Sequence, residues 1–364
     1  MSEPLLPELP APADPVWARI TAAWSRDEGE AVDELLAQAS LEPAERERVL
    51  ARAEELVARV RERAGEQSAV ESFMRQYDLS SEEGVLLMCV AEALLRIPDT
   101  LTADKLIRDK LGEADWKKHL GGSDSVFVNA STWGLMLTGH LVNLADDTRR
   151  DFTGALKRLV GRAGEPVIRL AVRQAMRIMG HQFVMGRTIE EALDRSAQKD
   201  NAAYRYSYDM LGEAALTAAD AERYHKAYKD AIDALGRRGP FDSVLVAPSI
   251  SVKLSALHPR YEVAKRARVH AELIPKLLEL AMLAKENGIG MTVDAEESDR
   301  LELSLEVIGA VFAHASLAGW NGFGLAVQAY QKRAPFVIGW LAAVAEKLDR
   351  RFMVRLVKGA YWDS

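Results

Sequence analysis

Polar residues recur where short apolar runs end. In this chain of 364 residues, Lys253 closes "SISVK", Asp294 closes "GMTVD" and Gln328 closes "GLAVQ". Arg355 and Lys358 lie in "VRLVKGAYWDS" at 354–364, followed by Gly359, Ala360, Tyr361 and Trp362. A lysine among apolar neighbours must reach a partner or a cavity, because a lone buried ammonium is costly. It either captures an anion or acts as an amine toward a carbonyl. Asp294 is placed to orient Lys253 or a cofactor; the competing role is to cap the following helix, which Glu297 and Ser298 fit better. The Gln328 amide both donates and accepts, so it suits a heteroaromatic edge or an inter-strand bond. Arg355 and Lys358 put two cations in one short run, either as anion ligands or as a solvated pair at a strand end. Gly359 permits close backbone approach. Tyr361 and Trp362 need a ligand or a neighbouring segment to cover them.

Weaker candidates end or follow the same runs: Asp209, Glu213, Ser255, Glu296, Glu297 and Tyr330. Holding loops or hydrogen-bond partners is the ordinary role of such polar residues, and Tyr330 reads equally as cofactor wall or as core. The seven histidines show no metal-ligand spacing, and His258 before Pro259 reads as structural, so no metal site is expected. G-x-G-x-x-G, the Walker loop and H-E-x-x-H are all absent.

The elements that must position these residues change rhythm along the chain. Residues 1–15 are acidic and Pro-rich, without the basic and apolar regions of a secretory signal. From 16 to about 200 the pattern is helical, as in "DEGEAVDELLAQA" and "EPAERERVLARAEELVARVRERA". "SSEEGVLLMCVAEALLRI" begins on a cap region and stops before Pro98; its Cys89, the single cysteine, reads as a buried thiol and excludes an internal disulfide. From 204 five strand candidates follow, at 204–211, 244–257, 288–297, 322–331 and 351–361. Helical stretches separate them at 218–237, 262–287, 298–317 and 333–349. Strand and helix alternating at steady spacing mean a parallel sheet. Polar residues at the ends of five successive strands favour a (β/α)8 barrel, whose βα loops converge on one face, over a doubly wound sheet with a single switch point.

Net charge is −7, so no global basic field recruits nucleic acid or anionic lipid. No apolar run reaches the roughly 20 residues of a membrane span. A lone cysteine fits a reducing cytoplasm.

"YRYSYDMLGEAALT", "SISVKLSALHPRYE", "TVDAEESDRLELSLEV", "GFGLAVQAYQKRAPFVI" and "VRLVKGAYWDS" together resemble the proline dehydrogenase region of the proline utilization A family, bacterial bifunctional flavoenzymes. The resemblance runs from about 70 to 364 and includes "AEALLRIPDT" and "GHQFVMGRTIEEAL". It implies a lead and helical arm over 1–60, a helical domain over 61–185, and over 186–364 the first five strands of an FAD-binding (β/α)8 barrel. The implied reaction oxidises L-proline to Δ1-pyrroline-5-carboxylate, the first step of proline catabolism to glutamate, with electrons passing to membrane quinone. NAD belongs only to the family's second, glutamate-semialdehyde dehydrogenase domain, which this sequence does not contain.

By the same resemblance Lys253 pairs with the proline carboxylate, Asp294 orients it, Arg355 tunes the flavin and Tyr361 walls the proline ring. Asp294, Gln328, Arg355, Lys358, Gly359, Ala360 and Trp362 contact FAD. The family's ribbon-helix-helix module has no room before the arm, so nucleic acid is not an expected partner. The family's Tyr-x-x-Arg-Arg carboxylate clamp is not found: no paired arginine here, at 149–150, 237–238 or 350–351, has a tyrosine three residues before it. A homo-oligomeric parent in the cytoplasm, or peripheral at the inner membrane, is expected. Two other readings stand beside this one: a non-catalytic fragment, and a barrel aldolase using Lys253 as a Schiff base.

Overall fold

The computed structural model describes residues 15–63, 184–199, 201–211 and 214–359. The chain divides into two compact units, Met1–Leu41 with Ser196–Ser364, and Glu42–Arg195. In the second unit, α3 (Pro43–Arg63) buries none of its side chains and carries the i,i+4 pair Glu55–Arg59. Most of α4 (Ile189–Ser196) follows; its first turn is held by the Thr188 hydroxyl, which accepts from the Glu191 N–H at 3.2 Å. The expected helices between 69 and 183, and Cys89 with them, lie outside the described residues.

The first unit opens with α1 (Pro15–Trp24) and α2 (Glu28–Ala39), the latter capped by Asp27, whose side chain accepts from the Glu30 N–H. Strand and helix then alternate: β1 (Ser207–Asp209), α5 (Ala218–Gly236), β2 (Ser249–Val252), a single turn α6 (Leu254–Leu257), α7 (Arg266–Glu286), β3 (Gly290–Val293), α8 (Leu301–Phe312), β4 (Phe323–Gln328), α9 (Ala334–Lys347) and β5 (Met353–Val357). Thr217 and Asp220 form a reciprocal capping box at the start of α5, satisfying amides that otherwise lack partners. All five expected strands form, shorter than their sequence windows. The 244–257 window is cut most, because "LSAL" turns helical directly after Lys253 and only Ser249–Val252 pairs.

The strands are all parallel and lie in chain order, β1-β2-β3-β4-β5. That order has no reversal, and so no switch point of the doubly wound kind. β1 and β5 are the two edges of the sheet among the described residues.

The pleat sorts the sequence into two faces. Ile250, Val252, Met291, Val293, Phe323, Leu325 and Val327 form one face, all at or below 2% exposure. The helices supply Tyr228, Leu235, Leu273, Leu277, Val307, Val311 and Val337 to the same core, likewise buried. Each such aliphatic side chain contributes about 1.5–3 kcal/mol relative to exposure. The other face carries small and polar residues: Ser207 and Asp209, Ser251, Thr292, Gly324 and Ala326, and Arg355. At Gly324 a Cβ would lie 1.9 Å from the Met353 carbonyl oxygen, so only glycine lets β4 and β5 approach there.

α1 packs along α9, with Trp17 edge-on to Trp340 at 5.3 Å, and reaches α8 through the Thr21 hydroxyl, which donates to Glu302 at 2.9 Å. The Arg333 guanidinium lies 3.9 Å from the centre of the Trp24 ring.

Candidate functional site

The register decides which polar residues meet. Asp209 pairs with Ser251, Ser251 with Thr292, and Ala326 with Arg355. Lys253 and Asp294 follow directly on the last pair of β2 and β3, Val252 with Val293. Side chains two residues apart share a face, so Lys253, Asp294 and Arg355 stand at one level of the sheet, with Asp209 on the same face at the level of Ser251.

Their contacts form an alternating chain of charge. The Lys253 ammonium donates to Asp209 Oδ1 at 2.6 Å and to Asp294 Oδ2 at 3.0 Å. The other Asp294 oxygen accepts from the Arg355 guanidinium. Arg355 Nη2 also donates to Ser251 Oγ at 3.0 Å, and that hydroxyl lies 3.2 Å from Ser207 Oγ. Asp294 is the least exposed member, its side chain 15% accessible against 42% for Arg355. Lys253 is fixed from behind: its N–H donates to the hydroxyl of Tyr228, which is wholly buried on α5. Four charges, from β1, β2, β3 and β5, thus alternate in sign, and the two cations keep exposed surface, 27% for Lys253 and 42% for Arg355.

Beside this layer the βα loops are tied together. Glu296 Oε1 accepts from the Ser255 N–H at 3.0 Å, and the Glu296 carbonyl accepts from Gln328 Nε2 at 2.7 Å. Burial pushes the Glu296 carboxyl above the usual carboxylate range, against the hydrogen bonds from Ser255. Glu297 stands at the N-cap position of a 3₁₀ turn, Ser298–Arg300, but makes no capping bond and pairs with Arg300 at 3.1 Å instead. The capping alternative for Asp294 is therefore not realised.

Pairing of β4 with β5 continues past the strands. The Ala329 N–H donates to the Val357 carbonyl at 2.8 Å, and that of Tyr330 to the Lys358 carbonyl at 3.0 Å. Gly359 then has φ +121°, and a Cβ there would lie 2.3 Å from the Tyr330 ring and 3.0 Å from Gln328 Oε1. The backbone at 359 thereby comes against Gln328 with no side chain between. Lys358 is exposed at the same end.

Of the residues singled out in the sequence, Lys253, Asp294 and Arg355 come into direct contact, and Gln328 and Gly359 form a second group beside Tyr330. Asp209, a weaker candidate, proves a direct partner of Lys253. Ala360, Tyr361 and Trp362, and also Glu213, lie outside the described residues. Ser251 was missed, although its signal was present: Ser249, Ser251 and Lys253 sit at period two in one strand. His258 has the structural role expected of it. It is buried, its Nδ1 accepts from the Arg260 N–H at 3.1 Å, and Nε2 lies 3.1 Å from Glu272. No group of three or more His, Cys, Asp or Glu with metal-binding geometry occurs among the described residues. No helix among them is long and apolar enough to cross a membrane.

Comparison with known proteins places this geometry. A family model described as proline dehydrogenase matches residues 192–364, the whole of the strand-bearing segment. Residues 14–61 match the N-terminal domain of proline utilization A proline dehydrogenase. Residues 69–183 match a model described as the DNA-binding domain of proline dehydrogenase. The chain is 51% identical over 350 residues to the bifunctional protein PutA of Klebsiella aerogenes, covering 95% of this chain and 26% of that protein. It is 48% identical over 377 residues to that of Rhizobium meliloti, covering 100% of this chain and 30% of that protein. The chain therefore spans between a quarter and a third of the length of these relatives. Among solved structures, proline utilization A from Bradyrhizobium japonicum superposes with a TM-score of 0.64 at 47% identity, over 93% of this chain and 34% of that one. Another from Bdellovibrio bacteriovorus, at 20% identity and a TM-score of 0.60, shares the fold.

Proposed function

This chain belongs to the proline dehydrogenase family, as the proline utilization A type of that region, and on that premise we propose that it oxidises L-proline to Δ1-pyrroline-5-carboxylate with FAD as cofactor. The observation that carries the reading is the Lys253–Asp294–Arg355 chain at the ends of the parallel strands β2, β3 and β5. We take the sheet as the first five strands of a (β/α)8 barrel, and its small, polar face as the lumen.

The residues present fit a flavin. Its diphosphate calls for a cation, and Lys358 would supply one just past the end of β5, while Arg355 would face the ring. Its uracil-like edge calls for a group that donates and accepts, and Gln328 provides an amide. Gly359, with no Cβ, leaves room for close backbone approach beside that amide. When bound, the flavin supplies the two-electron acceptor.

The chain's own residues bind, orient and tune. Lys253 offers a cation to the proline carboxylate, and Asp209 and Asp294 hold its ammonium in place. Asp294 at the same time fixes Arg355, whose guanidinium gives the site positive potential where negative charge would gather during the reaction. In the oxidation the Cδ–H bond would break and C–N would become C=N, the two electrons passing to the group these residues would hold, once the amine has lost a proton to solvent. No side chain is required as a strong base. Tyr361 as a wall to the proline ring, with Ala360 and Trp362 at the cofactor, completes the reading.

Transfer of the electrons to quinone, a homo-oligomeric parent and a cytoplasmic or inner-membrane-peripheral location follow the family and are proposed on that ground. The description of the model over 69–183 bears on the expectation that nucleic acid is no partner. A net charge of −7 is a sum over the whole chain and does not describe any local surface, so a gel-shift titration with duplex DNA at two salt concentrations decides it. The aldolase reading is disfavoured because Lys253 is tied as a cation to two carboxylates.

The test is direct. The protein mixed with FAD is expected to show a bound-flavin visible spectrum that bleaches anaerobically on adding L-proline. Retention of the oxidised spectrum with proline, or no flavin bound, overturns the reading.

A further inference from the structure

A line of contacts independent of the charged layer crosses three consecutive βα loops and reaches the end of β4. The Ala215 N–H, before α5, donates to the Ser255 carbonyl at 3.1 Å. The Ser255 N–H, after β2, donates to Glu296 Oε1 at 3.0 Å. The Glu296 carbonyl, after β3, accepts from Gln328 Nε2 at the end of β4, at 2.7 Å. Glu296 is the only side chain in this line that spans two loops and also presents its own carbonyl to a third. Its side chain is 12% exposed. Around it stand Tyr261, Arg300 and Glu297. Tyr261 is buried before α7, with Arg300 5.4 Å from its ring centre, and Arg300 Nη1 lies 3.6 Å from Glu296 Oε2.

We propose that Glu296 is a positioning residue for Gln328: its side chain, anchored on the Ser255 N–H, holds the Glu296 peptide where its carbonyl fixes the orientation of the Gln328 amide. The cause is geometric. A primary amide has two equivalent-looking orientations, and a single acceptor on Nε2 selects one. That leaves Gln328 Oε1 turned toward Gly359, where a Cβ would meet it at 3.0 Å. Burial pushes the Glu296 carboxyl above the usual carboxylate range, and in either protonation state it offers an oxygen to the Ser255 N–H. It follows that acceptor capacity at Oε1, and not negative charge, is what the position requires.

This inference rests on the proposed function only in calling Gln328 a cofactor contact; the anchoring itself is tested without cofactor. In the FAD-free protein, hydrogen exchange of the segments 253–258 and 294–298 is compared among wild type, E296Q and E296A. The expected result is about tenfold faster exchange at Ser255 in E296A, since its acceptor is lost, with E296Q within about threefold of wild type. Equal protection in wild type and E296A overturns the proposal. So does E296Q as fast as E296A, because charge would then be the requirement.

The consequence at the site is read by flavin titration and steady-state proline kinetics on the same variants. E296A is expected to shift the visible spectrum of bound flavin and to lower kcat by roughly tenfold to a hundredfold, with E296Q near wild type. An E296A protein with lost protection but an unchanged flavin spectrum and kcat overturns the link to Gln328. If wild type itself binds no flavin, the proposed function fails, while the exchange comparison still decides the anchoring.

Discussion

Lys253 and Asp294 meet at 3.0 Å across the β2–β3 boundary, and the second oxygen of Asp294 is taken by Arg355. One carboxylate thereby sets the distance between two cations that come from β2 and β5, strands three places apart in the sheet. Neither cation can shift without breaking a charge-assisted bond, and this couples the candidate carboxylate-binding residue to the candidate flavin-tuning one.

Asp294→Asn keeps the shape and removes the charge between the cations. Hydrogen bonds to charged groups contribute about 1.5–3 kcal/mol, so kcat/KM for proline is expected to fall by roughly tenfold to a hundredfold. Steady-state kinetics at saturating FAD measure it. Activity within twofold of wild type contradicts the orienting role.

Lys253→Met removes the ammonium while keeping most of the apolar stem. Loss of a charge-assisted contact to the substrate carboxylate predicts an increase in the KM for proline of about thirtyfold or more, with flavin content unchanged. An amine substrate lacking the carboxylate should be affected far less. Equal losses for both substrates would point away from carboxylate recognition.

Gly359→Ala places a side chain on a backbone at φ +121°, with its Cβ 2.3 Å from the Tyr330 ring. Backbone strain of this kind costs about 1–3 kcal/mol. The expected outcome is weaker FAD binding, by fluorescence-quench titration, with little change in far-UV circular dichroism. Native FAD affinity in the variant would show that this backbone does not approach the cofactor.

Acid should weaken the α5–α7 and post-β2 packing through two buried histidines. Burial depresses the pKa of both His225 and His258 in the folded state. The unfolded chain takes up protons first, near pH 6.5, while the folded state resists them, so stability is full above that pH and falls below it. The slope is at most about 1.4 kcal/mol per pH unit for each histidine. In thermal melts between pH 7.5 and 5.5, His225→Leu is expected to flatten the decline. A melting temperature as pH-dependent as wild type contradicts the assignment.

Much of the site can be read from the sequence because strand ends in a parallel sheet are local features: an apolar run, a polar residue, then a turn. Lys253, Asp294, Gln328 and Arg355 each stand out in their own segment, and period two within "SISVK" could have identified Ser251. Alternation of strand and helix likewise pointed to an α/β fold with a parallel sheet without any long-range information. Which partners these residues have could not be read in the same way. Asp209 and Lys253 lie 44 positions apart, Arg355 and Ser251 104 apart, and only the lateral register of the strands brings them within 3 Å. A shift of one residue in any strand would turn its polar set toward the helices.

The sequence by itself determined the order of elements, the polar strand ends and the motifs that carry the family. Tertiary structure decided that Asp209 is a partner of Lys253, that Glu297 pairs with Arg300 instead of capping, and that Glu296 bridges the loops. These contacts are chosen by burial and register, which depend on segments tens to hundreds of residues apart, whereas the elements follow from periodicity within each segment.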